Sequence, residues 1–447
     1  MNTNYQDNAG CNQGDEAEQM RALSSSQTRL WFLDQLSPQQ ALYNLTVRYQ
    51  LSGDIRLDLL DQSLTALVRR HRTLRTSYHG LRGVPFQRVN LPMPIHIAVS
   101  TDADYEGWLR NHARRPFNLA ESPMLRAGLV IDSSGVHHFT ITMHHIAVDA
   151  WSLKILDREL WTIYASLVRE QTPELPPLIF HYADYAEEEQ RRLSSGAMDG
   201  DLKYWIQKLD GLTYSQLPND ANKVSFEGSA GASVECALSR GLVDRLEAFA
   251  RSRHCTLFVV LQAVLAVLLN RYTSSRDVVT GTATAGRVKT GLEPLVGYFV
   301  NLLVLKITLE NDMTFDQVLL ATRDTVFDAL DHQSLPFDVL VQELRPTRVS
   351  ERNPLFQVVL QLHYSNETAA QRVENMEVLR RDAIGSGSNW FEIMFEAIRT
   401  KTDLTLTLAY SRDRFEPSRI TDLLDGYVAS IEHLIDDPST RLCDLNF

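Results

Sequence analysis

The residues best suited to chemistry are two adjacent histidines and an aspartate, His144, His145 and Asp149, in the run HHIAVDA over 144–150. Upstream, Phe139, Ile141, Met143 and His145 alternate with Thr140, Thr142 and His144, which is the period of a β-strand. His145 therefore ends an apolar row, and His144 points to the opposite face. Neighbours on opposite faces cannot readily share a metal ion, and with few other ligands nearby no metal is expected. Downstream, Leu153, Leu156, Leu160, Ile163, Tyr164 and Leu167 recur at helical spacing, so the strand gives way to a helix at Val148–Trp151. A histidine between a strand end and a helix N-terminus can act as a general base in acyl transfer, with backbone N–H groups near the developing charge. Periodicity alone favours a buried, hydrogen-bonded histidine instead, and Asp149 alone reads as a helix N-cap.

These residues need a scaffold. A chain of 447 residues exceeds one ordinary core and suggests two or three units, with two large lobes the simplest reading. Residues 1–20 read as a disordered polar tail, and folded sequence begins at Leu23. Leu59, Leu60, Leu64 and Leu67 give the stretch Leu57–Arg70 one apolar helical face, and Val47–Leu51 reads as a strand. The stretch from Pro173 to Lys223 is rich in Pro, Gly, Ser and charge, with a short amphipathic stretch around Trp205, and reads as an inter-lobe connection. The expected division is 1–20 tail, 21–175 first lobe, 176–223 connection and 224–447 second lobe. The second lobe has predicted helices over 241–252, 257–271, 315–330 and 417–434, and strands over 278–284, 356–362 and 404–410. Polar, Gly/Ser-punctuated Glu367–Asn389 reads as a mobile loop.

Composition excludes several classes. Hydrophobic residues at 44% and charged residues at 22% fit a soluble globular protein, and a net charge of -12 disfavours nucleic-acid binding. Cys11, Cys236, Cys255 and Cys443 form no CxxC pair, so neither a disulfide framework nor a zinc site is suggested, and a reducing, cytoplasmic setting is expected. The N-terminus lacks the basic start and apolar core of a secretory signal. The longest apolar stretch, Leu257–Leu269, is too short to span a bilayer and reads as a buried helix; no membrane association is expected.

HHIAVDA resembles the HHxxxDG signature of condensation domains in nonribosomal peptide synthetases, and six further segments match that family in order. They are SSSQTRLWFL (24–33), RRHRTLRTSY (69–78), YADYA (182–186), VGYFVN (296–301), HQSLPFD (332–338) and RNPLF (352–356). HHxxxDG alone is shared with other acyltransferases; the ordered set makes the resemblance specific. It covers Leu23–Phe447, and its opening segments look most like the subtype that condenses L-configured donors.

The resemblance implies an α/β fold of two chloramphenicol-acetyltransferase-like lobes in a V-shaped pseudo-dimer with a central tunnel. It implies His145 as the catalytic residue, with His144, Asp149, Arg287 and Ala150 supporting the site. Asp149 would pair with Arg287, the arginine of GTATAGR. Trp151, Ser152, Asn301 and Asn353 are candidate tunnel-lining residues. No tightly bound cofactor is implied: donors would arrive on the phosphopantetheine of a separate acyl or peptidyl carrier protein. The acceptor would be a small amine or alcohol, either free or held on a second carrier. With no GGxS carrier segment or adenylating motif, the chain is expected to be a free-standing monomer working in trans. Four departures stand out. Ala150 replaces Gly, where a methyl would resist a positive φ. Arg72 replaces a common Glu and Glu187 an apolar residue, both read as surface variation. Leu302 and Leu303 replace a more polar run, for which a nonpolar substrate is one reason. Two rival classes remain: a coenzyme-A-dependent acyltransferase, which would keep the signature, and a noncatalytic module that recruits carriers or tailoring enzymes, a kind that often loses the histidine pair.

Overall fold

A computed structural model describes residues 19–36, 41–101, 104–132, 134–212, 217, 231–346, 353–365, 371–384 and 391–445. The tail expected over 1–20 therefore lies outside the described residues, apart from exposed Gln19 and Met20; Arg352 of RNPLF also lies outside them. The chain is mixed α/β and divides into two compact units. Unit 1 comprises residues 1–194, 289–298 and 370–386; unit 2 holds the rest.

The early strands are β1 (Arg21–Ala22), β2 (Asn44–Gly53), β3 (Thr76–Leu81), β4 (Val84–Val89), β5 (Ala98–Ser100), β6 (Leu125–Ile131) and β7 (His137–His144). The later ones are β8 (Gly231–Ala237), β9 (Asp277–Thr284), β10 (Asn301–Thr308), β11 (Val358–Tyr364), β12 (Gln371–Val373), β13 (Met376–Ile384), β14 (Ile393–Arg399) and β15 (Leu404–Ser411). Unit 1 is built on a six-stranded sheet ordered β12-β13-β2-β7-β6-β5, with a small β1-β4-β3 sheet beside it. Unit 2 carries the sheet β10-β9-β11-β14-β15-β8.

In unit 1, β7 is flanked on both sides, and Phe139 to Met143 are all buried, so neither face of the strand meets water. The apolar row meets the helix Ala150–Val168: Phe139 stacks on Tyr49, and Trp161 packs edge-on against both. The helix Leu57–Arg70 packs on the same helix through the face anticipated from its leucines, although Leu59 is only half-buried. Between them sits a buried charged cluster, in which Glu159 receives both Arg70 and His71. In unit 2 the stretch from Leu257 to Leu269 is almost wholly buried, as a core helix should be. No single described helix is long and apolar enough to cross a membrane.

The structure departs from the sequence reading in three places. The expected connection 176–223 contains two helices, Tyr182–Ser194, which belongs to unit 1, and Asp199–Lys208, which belongs to unit 2. The lobes are not contiguous, because 289–298 and 370–386 pack in unit 1. The described part of Glu367–Asn389 is not a loop but the hairpin β12–β13, which adds antiparallel to β2 from Met376↔Gly53 onward. Its polar side chains are what an edge hairpin carries, so composition alone did not distinguish it from a loop.

Candidate active site

The histidine loop is fixed by its own backbone. Strand β7 ends at His144, the His145 N–H donates to the Tyr43 carbonyl at 2.8 Å, and the Ala147 N–H closes a turn on the His144 carbonyl at 3.0 Å. The two imidazoles then take opposite tautomers. His145 Nδ1 lies 2.7 Å from the Val148 carbonyl. A carbonyl only accepts, so Nδ1 carries the proton and Nε2 the lone pair. His144 Nδ1 instead accepts the Ile146 N–H at 3.1 Å, leaving its proton on Nε2. Burial lowers the pKa of His145, opposed by the Asp149 charge and the bond to Val148, so the ring is neutral at pH 7. His144 is pushed down to about 3 by burial, then by His145 and Arg126. Its ring packs edge-on between Tyr43 and Phe117, which is the setting of a structural residue.

Asp149 is completely buried and caps the helix Ala150–Val168, its Oδ1 accepting the Ser152 N–H at 2.7 Å. The same oxygen lies 2.7 Å from the Ser152 hydroxyl, which accepts the Gly297 N–H at 3.1 Å. Ser152 is fully buried, so the hydroxyl ties the helix start to segment 289–298 rather than facing a substrate. Ala150 is exposed and opens the helix with helical backbone; it is not among the positive-φ residues, so the anticipated strain does not arise. Trp151 is 43% exposed and its indole N–H donates to the Glu293 carbonyl at 2.9 Å.

Four other motifs converge on this loop within unit 1. Gln27, from SSSQTRLWFL, donates to the Ile146 carbonyl at 3.2 Å, with the Tyr78 hydroxyl of RRHRTLRTSY beside it. Tyr182 of YADYA joins Ser24 Oγ at 2.9 Å and donates to the Tyr298 carbonyl of VGYFVN at 2.5 Å. The Tyr298 ring in turn packs edge-on against His145, with centroids 4.8 Å apart. Gly297 is required by this approach: a Cβ there would enter the Tyr182 ring. Sequence reasoning singled out none of Gln27, Tyr78, Tyr182 and Tyr298 as a site residue. Their place in ordered motifs was the available signal, but which atoms they bond is a tertiary property.

The remaining predicted residues lie in unit 2. The Asn301 amide donates to the Gln333 and Leu335 carbonyls at 2.9 and 2.7 Å, and its oxygen accepts the Phe337 N–H at 2.9 Å; it thus braces HQSLPFD. Asn353 Oδ1 accepts the Leu355 and Phe356 N–H groups and caps a turn. Arg287 donates to the Ala285 carbonyl at 3.1 Å and lies over the Phe299 ring at 4.3 Å. Just before it, Gly286 has φ +64°, and a Cβ would strike the Phe299 carbonyl. Asp149 and Arg287 belong to different units. Leu302 and Leu303 sit in β10; Leu303 is buried in the core, which accounts for its apolarity without a substrate, and Leu302 is half-buried. Of the two departures read as surface variation, Glu187 is exposed and paired with Arg21, whereas Arg72 is half-buried.

The Condensation domain family model matches residues 17–447. A linear gramicidin synthase of Brevibacillus parabrevis is 32% identical over 441 residues, covering 94% of this chain and 6% of that protein. The dimodular nonribosomal peptide synthase of Bacillus subtilis (strain 168) is 31% identical over 440 residues, covering 95% of this chain and 18% of its own. The chain thus spans less than a fifth of either relative. Among solved structures, the X-domain from teicoplanin biosynthesis superposes with a TM-score of 0.87 at 26% identity, over 96% of this chain and 98% of that one. A four-domain nonribosomal peptide synthetase bound to AMP and glycine gives 0.86 at 20% identity, over 96% of this chain and 34% of its own, a likeness of fold. The chain belongs to the condensation-domain family.

Proposed function

We propose that this protein condenses a carrier-bound acyl or peptidyl thioester with an amine or hydroxyl acceptor, with His145 as general base. The observation that carries this reading is the tautomer of His145, whose Nδ1 proton is held by the Val148 carbonyl and whose Nε2 bears the lone pair. The acceptor nitrogen or oxygen attacks the thioester carbonyl and its proton passes to Nε2; the C–S bond then breaks and that proton moves from Nε2 to the leaving sulfur, releasing the carrier thiol and restoring the neutral ring. The buried Asp149 charge favours the imidazolium that forms. An α-amine with a pKa of about 8 is partly neutral at cellular pH, so for amide formation positioning supplies most of the acceleration. A hydroxyl must lose its proton during attack and depends on the base throughout.

No GGxS carrier segment lies within the 447 residues, so the donor's carrier lies outside them, and action in trans belongs to this proposal; the opening motifs support an L-configured donor. A recruiting module is the second reading, favoured by the likeness to the X-domain of teicoplanin biosynthesis, which has been solved in complex with OxyB. The retained His144, His145 and Asp149, in bonded and complementary roles, favour catalysis. The test incubates the protein with a medium-chain acyl group on a carrier protein or on coenzyme A, with a panel of amines and alcohols, reading product by mass spectrometry. Carrier-dependent product that falls in His145→Ala is the expected result. Equal turnover of the coenzyme A thioester would favour the general acyltransferase, and carrier binding without product across the panel would favour the recruiting module.

A further inference from the structure

Segment 289–298 packs in unit 1, and hydroxyls from two different helices grip its last two residues. Ser152 accepts the Gly297 N–H at 3.1 Å, and Tyr182 donates to the Tyr298 carbonyl at 2.5 Å while meeting Ser24 Oγ at 2.9 Å. Ser152 and Tyr182 are 0% and 2% exposed, so water does not compete for these bonds. The Tyr182 ring occupies the space a side chain on residue 297 would need, which locks the backbone against it. What this clamp presents is the Tyr298 ring, 4.8 Å from the His145 ring at an interplanar angle of 68°. A histidine ring turns about a broad, roughly two-fold torsion, so the bond from Nδ1 to Val148 benefits from a neighbour that opposes the flip.

We propose that Tyr298 is a positioning residue for His145: clamped by Ser152 and Tyr182, its ring holds the imidazole with Nδ1 on the Val148 carbonyl and Nε2 turned toward the reacting groups. The inference rests on the condensation reading, in which His145 is the base. It makes the hydroxyls of Ser152 and Tyr182 parts of the site at one remove, acting through a backbone they never leave.

The test uses the full chain labelled with 15N-histidine, with His145→Ala to assign the His145 signals. Wild type shows a single tautomer protonated at Nδ1. Tyr298→Leu gives a mixture of tautomers, Tyr182→Phe shifts in the same direction with the ring volume kept, and Tyr298→Phe, which keeps the ring, retains the wild-type signals. In carrier-dependent amide formation, Tyr298→Leu lowers kcat by about 10-fold with little change in KM, as a misaligned base should. In a His145→Ala background it causes no further loss, because a residue acting through His145 has nothing left to act on. Unchanged His145 signals in Tyr298→Leu, or an equal loss of kcat in the His145→Ala background, would overturn the proposal. Absence of turnover in wild type would count against the condensation reading, while the nitrogen signals would still decide whether Tyr298 positions the ring.

Discussion

Replacing His144 with asparagine should remove much of the acid sensitivity of unit 1. In the native protein His144 is neutral down to about pH 3, whereas in the unfolded chain it protonates at the ordinary value near 6.5. A base whose folded pKa is depressed leaves stability intact above the unfolded value and erodes it as pH falls from there toward the folded value. At about pH 4.5, roughly two units below 6.5, this one ring favours unfolding by about 2.7 kcal/mol. Asparagine can place its Oδ1 where His144 Nδ1 now accepts the Ile146 N–H, so the turn keeps its bond. Losing the ring contacts with Tyr43 and Phe117 costs about 1 kcal/mol, independent of pH. Urea unfolding followed by tryptophan fluorescence at about pH 7.5 and 4.5 should show His144→Asn less stable than wild type at the higher pH. The stability lost between the two pH values should shrink by about 2.7 kcal/mol. The buried carboxylates and the other buried histidines titrate in both proteins and cancel in the comparison. An identical pH dependence in the two proteins would refute the reasoning.

Ser152→Ala removes a hydrogen bond to the buried Asp149 carboxylate and strands the Gly297 N–H, so a loss of about 3 kcal/mol is expected in denaturant titration; a loss below about 0.5 kcal/mol would show that water repairs the site. Gly297→Ala forces a methyl into the Tyr182 ring and should cost about 1–3 kcal/mol, with a shift in the near-ultraviolet tyrosine signal. His145→Ala should reduce ester formation far more than amide formation, by up to about 10,000-fold for the former, and equal losses for both acceptors would count against a general base. Because burial lowers the His145 pKa, the acid limb of the ester-forming rate should lie below the ordinary histidine value of about 6.5, and a limb above it would contradict a buried neutral base.

The local grammar was legible. Alternation from Phe139 anticipated β7, although the strand stops at His144 and His145 lies in the turn beyond it; the helical spacing from Leu153 anticipated the following helix, and Asp149 proved to be the N-cap that its type and position suggest. The family that the motif series resembles is the one whose model matches residues 17–447. What periodicity could not convey was long-range connection. Nothing in the polar run Glu367–Asn389 says that its central residues pair with β2 more than three hundred positions earlier, because an edge hairpin and a solvated loop share a composition. Asn301 and Ser152 were nominated as polar residues facing a ligand, yet both spend their hydrogen bonds on backbone or on Asp149. A polar side chain announces only that it needs partners; the fold decides whether those partners are protein or substrate.

The hairpin β12–β13 has a consequence for how the chain comes into being. As unit 1 emerges from the ribosome, β2 has β7 on one side and nothing on the other until Met376–Ile384 has been synthesised. Until then the first unit carries a raw sheet edge, the kind of surface that recruits stray strands. Its contact order is correspondingly high, and slow completion follows from topology rather than from any weakness in the core. Fragments cut after residue 223 would inherit that open edge, along with the missing grip of segment 289–298 beside His145. Exchanging the first unit for that of a relative is then a matter of three stretches of sequence rather than one, since the second unit's sequence carries the first unit's missing pieces.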